Sequence, residues 1–81
     1  MNIIEAISKR IKYYLDLNGW SIYKLSRKTG LSPNGIQVIM QNATHNIKLT
    51  TIILIAHAFG VTLSEFLNGD DFLYENLNIN F

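Results

Sequence analysis

The sequence predicts an all-α domain. Two observations carry this expectation. Apolar residues recur at helical spacing in a series of short segments, and most segments open on a capping residue and close on a turn residue. The chain also has the size of one small domain, with 81 residues, 48% of them apolar, one proline and no cysteine. Without disulfides or thiolate-bound metal, such a domain must be held by packing. The lack of cysteine fits a reducing cytoplasm, and no membrane-spanning or signal segment is legible.

The elements follow in order. Asn2 and Glu5 are spaced as a capping box, each side chain meeting a backbone N–H that the helix start leaves unpaired. Ile4, Ile7, Ile11 and Leu15 then mark one face, and Asn18-Gly19 ends the first helix. Ser21 caps the second, with Trp20 and Leu25 placed as a hydrophobic staple, and Gly30 stops it. Ser32 caps the third, with Pro33 at the first helical position and Leu31 and Ile36 as staple. A loop from Asn42 to Ile47 follows. The fourth helix runs from about Lys48 to Phe59 and stops at Gly60. Thr62 and Glu65 form a second capping box, stapled by Val61 and Phe66, for a short fifth helix. The second and third helices, joined through "GLS", have the spacing of a helix-turn-helix.

The tail has a different period. In "LYENLNINF", Leu73, Leu77, Ile79 and Phe81 alternate with Asn76, Asn78 and Asn80, the pattern of an amphipathic strand. A lone strand needs a partner strand, and the same tail of a second copy is the nearest source. The chain is thus expected to divide into a helical domain, 1–69, and an acidic, apolar tail, 70–81, that is a candidate dimerisation strand.

Charge follows the same division. Residues 1–60 hold all seven Lys and Arg against Glu5 and Asp16, a balance of +5. Residues 61–81 hold four acids and no base, a balance of −4. A basic body can meet phosphates that an acidic tail avoids.

"RIKYYLDLNGWSIYKLSRKTGLSPNGIQVIMQN" followed by "IKLTTIILIAHAFGVTLSEFL" resembles the lambda-repressor-like helix-turn-helix family, which includes phage Cro and repressor DNA-binding domains and regulators of the XRE type. The resemblance covers about residues 8–69 and is most specific in "LSRKTGLS" and "LIAHAFGVTLSEFL". It implies a compact five-helix domain and a bacterial or phage transcription regulator, usually dimeric, that lays its third helix in the major groove.

The residues support that use. Ile36 and Ile39 should face the core, leaving Pro33, Asn34, Gly35, Gln37 and Val38 to meet base edges. The amides of Asn34 and Gln37 can donate to and accept from adenine, and Val38 can touch a thymine methyl, so an A·T-leaning site is expected. Ser21, Ile22, Lys24, Ser32, Gln41, Asn42, Thr44, His45, Asn46 and Lys48 are the positions expected along the phosphates. Arg27 and Lys28 extend the basic part of the second helix, although a solvated helix face explains them equally well.

Three positions depart from the family pattern. Ile22 stands where relatives often have a phosphate-binding Gln. Val38 stands where many carry Arg or Gln, which removes a bidentate guanine contact. Leu15 and Met40 replace an Arg–Glu pair, and apolar replacement of such a pair is often neutral or stabilising.

The fourth helix is apolar almost all round, so Leu54, with Ile53, exceeds what the core needs. With Tyr13, Leu17 and tail residues Phe72, Leu73, Leu77, Ile79 and Phe81 it forms a candidate dimer surface.

The leading expectation is a cytoplasmic, homodimeric regulator, a repressor or antitoxin-like autoregulator, bound to an inverted repeat in double-stranded DNA. The competing one is a protein-interaction module on the same fold, with a protein partner and weak or no DNA binding. No catalytic constellation, metal-ligand spacing or cofactor motif is present in the sequence, so no enzyme, metal or cofactor is expected.

Overall fold

The computed structural model describes residues 1–79. Five α-helices make up the domain: α1 (Ile3–Asn18), α2 (Ile22–Thr29), α3 (Pro33–Met40), α4 (Leu49–Ala58) and α5 (Leu63–Phe66). Two 3₁₀ turns follow, Asp70–Phe72 and Tyr74–Asn76. No helix among the described residues is long and apolar enough to cross a membrane.

The helix starts agree with the sequence reading. Asn2 and Glu5 bond reciprocally, as do Thr62 and Glu65. Ser21 accepts from the Lys24 N–H and Ser32 from the Gly35 N–H. The α3 end was not foreseen in detail. Asn42 has φ 55°, the one non-glycine in the left-handed region among the described residues, and its N–H donates to the Ile39 carbonyl while the Ala43 N–H donates to that of Val38. This closes the last turn of α3 without a glycine, a role asparagine tolerates better than most residues.

One core joins the helices. Ile7, Ile11 and Leu15 from α1 meet Leu25, Ile36, Ile39, Ile52, Ile55 and Phe66. The three staple pairs, Trp20 with Leu25, Leu31 with Ile36 and Val61 with Phe66, all belong to this cluster. An aromatic stack closes one end: Tyr14 lies 5.2 Å from Phe59 and 5.8 Å from Phe66, and Trp20 stacks on Phe59 at 5.4 Å. Leu15 is buried and Met40 half-buried in the same cluster, so apolar packing occupies the place of the absent ion pair.

The tail departs from the strand that its alternation predicts. Among the described residues it is two 3₁₀ turns folded back on α1. Arg10 donates to the Asn68 carbonyl and its guanidinium lies 5.5 Å from the Phe72 ring. Lys9 pairs with Asp71 at 3.3 Å, and the Asn76 amide donates to the Asp70 carbonyl at 2.7 Å. These contacts satisfy the tail locally, where a strand would need a partner. Phe72 packs half-buried against its own core, so most of this ring is not available to a second subunit. Leu77 is half-buried, Leu73 and Ile79 are exposed, and Phe81 lies outside the described residues.

Candidate nucleic-acid interface

The interface is built on the turn between α2 and α3. Gly30 has φ 78°, a conformation that favours glycine, and its N–H donates to the Ser26 carbonyl at 2.9 Å. The buried Ser26 hydroxyl donates forward to the Leu31 carbonyl. The Thr29 hydroxyl donates to the Leu25 carbonyl at 2.9 Å and accepts from the Leu31 N–H at 3.1 Å. These bonds set how α3 leaves α2, and Leu25 and Ile36, both fully buried, lock the crossing. Sequence reading assigned no role to Ser26 or Thr29. A hydroxyl four or five residues from the carbonyl it bonds leaves no periodic signal.

α3 buries Ile36 and Ile39 and turns its other faces out. Pro33, Asn34, Gly35 and Gln41 are exposed, while Gln37 and Val38 are half-buried. Two open grooves flank the helix. One is lined by Ser21, Ile22, Tyr23, Pro33, Asn34 and Gln37, and brings the first turns of α2 and α3 together. The other includes Ser32, Gly35, Val38, Thr44, Asn46 and Lys48, and joins α3 to the loop and the start of α4. The expected base-reading residues thus divide between two flanks, with Asn34 and Gln37 on one and Gly35 and Val38 on the other. A family model described as Helix-turn-helix matches residues 11–66.

The chain belongs to the helix-turn-helix family. It is of the Cro and repressor type, and as such a helix-turn-helix DNA-binding regulator. Comparison with curated proteins gives no match. Within this helix-turn-helix domain, α2 and α3 are the paired helices, and the match extends through α4 and α5.

Electrostatics distinguish the faces of the domain. No Asp or Glu occurs between Asp16 and Glu65. Among the described residues the two ion pairs, Lys9–Asp71 and Lys12–Asp16, both lie on α1 or between α1 and the tail. Of the other five basic side chains, Arg10 is held by the Asn68 carbonyl and the Phe72 ring, and Lys24, Arg27, Lys28 and Lys48 have no carboxylate partner among the described residues. These four are not equivalent. The Lys24 and Lys28 ammonium groups lie 5.4 and 5.8 Å from the Trp20 ring, a cation–π arrangement on the side of α2. Lys48 lines the Val38 groove and is the N-cap of α4, a helix start with no side-chain cap bond. Its first N–H groups and its ammonium together make an electropositive corner.

The remaining expected phosphate positions separate. The Thr44 hydroxyl donates to the Asn46 carbonyl at 3.0 Å and shapes the loop. His45 and Asn46 are exposed, and both line a hollow that also holds Asn2, Asn78 and Ile79. Asn42 uses its backbone to end α3 and leaves its side chain exposed. Ser21 and Ser32 are occupied as caps, so what they offer a phosphate lies in the unpaired N–H groups of the first turns behind them. Ile22 carries no side-chain donor and packs partly against the core.

Proposed function

We propose that this protein is a homodimeric, sequence-specific repressor whose α3 enters the major groove of an inverted repeat. The observation that supports this reading is the separation of roles on one surface. Asn34 and Gln37 border a groove on one side of a helix anchored by Ile36 and Ile39, and Lys48, which has no acid partner among the described residues, lines the groove on its other side. Amides read adenine edges, while Lys48 and the basic part of α2 neutralise phosphates. An uncharged reading helix is consistent with this, because base edges are also read by amides and methyl groups. Its composition favours an A·T-leaning site over an arginine–guanine contact.

A second subunit raises the number of phosphate contacts and doubles the readout. α4 supports one, since Ile53 and Leu54 remain 45% and 42% exposed although the helix is apolar. Leu73 and Ile79, also exposed, are further candidates for that contact. The competing reading, a protein-interaction module, draws on the same exposed aliphatics and on the absence of charge from α3.

Selection from a pool of random duplexes at low salt separates the two. The repressor reading predicts enrichment of an A·T-leaning inverted repeat. A folded protein that enriches nothing above background refutes it and leaves the interaction module.

A further inference from the structure

We propose that the groove between the first turns of α2 and α3 reads a thymine by its 5-methyl group, with Ile22 and Pro33 as the apolar floor that receives it. This rests on the DNA-reading function proposed above and assigns Ile22 a role in specificity in place of the phosphate contact expected at its position. Ser21, Ile22, Tyr23, Pro33, Asn34 and Gln37 line one groove, open to solvent. Ile22 is half-buried, so its side chain is held by packing while part of it faces the groove. An isoleucine there offers a DNA backbone nothing to bond. It offers an apolar group a surface that excludes water.

The major groove of duplex DNA displays one apolar substituent, the thymine methyl. Asn34 and Gln37 border the same groove, and their amides match adenine, which brings thymine in the same base pair or in a neighbouring A·T step. The occupant is thus of the chemistry that the adjoining side chains already select. Val38 cannot serve this groove, because it lines the opposite flank with Thr44 and Lys48. The geometry therefore separates two methyl-sensing positions, one on each side of α3.

Uracil substitution tests this, because it removes the methyl and leaves every hydrogen-bonding atom of the base. Duplexes enriched by the wild-type protein are remade with each thymine replaced in turn by uracil. At one position per half-site, uracil should weaken wild-type binding about fourfold, the effect of one methyl group withdrawn from an apolar contact. The Ile22→Gln variant should lose that sensitivity and keep any that Val38 confers, while Ile22→Val should retain part of it. Thermal unfolding confirms that each variant is folded; if Ile22→Gln is not, Ile22→Thr takes its place. An identical pattern of uracil sensitivity in wild type and variant overturns the proposal while leaving DNA recognition intact. Failure of the wild type to enrich any duplex overturns both readings together.

Discussion

Replacing Lys48 by Ala should change the salt dependence of DNA binding more than it changes the fold. Lys48 lines the Val38 groove at the start of α4, has no carboxylate partner among the described residues, and makes no side-chain cap bond. Each phosphate neutralised on duplex DNA contributes about −0.9 to the slope of log K against log salt. If Lys24, Arg27, Lys28 and Lys48 each neutralise one phosphate, one subunit contributes about −3.6 and a dimer about −7. Losing Lys48 from both subunits should make the slope shallower by about 1.8. Between about 50 and 200 mM salt, the variant should then lose about twelvefold less affinity than the wild type does. Fluorescence anisotropy on one duplex across a salt series gives both slopes. Lys9→Ala is the control, since its ammonium already faces Asp71 and its removal should leave the slope unchanged. An unchanged slope for Lys48→Ala, with the Lys9 variant equal to it, refutes the assignment of Lys48 to a phosphate.

Three further outcomes are expected. Ser26→Ala removes the donor to the Leu31 carbonyl and should destabilise the domain by about 1–3 kcal/mol, read by urea unfolding, with a loss of DNA affinity from the loosened turn. Ile53→Glu with Leu54→Glu should shift the protein toward monomer in sedimentation, and an unchanged mass would remove α4 from the dimer surface. The Thr62 backbone N–H, which donates to the Glu65 carboxylate at 3.0 Å, and then the Thr62 hydroxyl beside it hold the Glu65 carboxyl below the ordinary glutamate range. Because the folded value is the lower one, the cap stabilises α5 above the ordinary glutamate range and loses that effect as pH falls through the folded value. Side-chain NMR titration should find Glu65 ionising below 4.5 in wild type and closer to it in Thr62→Ala.

Much of the fold was legible because its signals are local. Asn2, Ser21, Ser32 and Thr62 each bond a backbone N–H three residues on, a spacing that a sequence displays directly. Ile36 and Ile39 were legible as the buried side of α3 for the same reason, and that fixed which residues face out. The tail was less legible. Its alternation is real, but contacts from Lys9 and Arg10, about sixty residues earlier, decide its shape. Period two is compatible with turns when a distant surface supplies the partners. The division of α3 into two flanks was also hidden. It depends on how α2 crosses α3, and hydroxyl bonds from Ser26 and Thr29 set that angle. Ile22 accordingly reads in sequence as a lost hydrogen-bond donor and in space as part of the lining of a groove.

The central claim is that Asn34 and Gln37 read bases while groups outside α3 supply the sequence-independent affinity. The ratio of specific to non-specific binding in the Asn34→Ala/Gln37→Ala variant tests it most directly. Asn34 is exposed and Gln37 half-buried, and neither belongs to the buried core, so the variant should unfold at a temperature close to that of the wild type. Each bidentate amide–adenine contact is worth about 1–3 kcal/mol of discrimination. Affinity for the selected duplex should fall at least tenfold, while affinity for an unrelated duplex at the same salt should not change. A folded variant that keeps the wild-type ratio would show that Asn34 and Gln37 do not read bases.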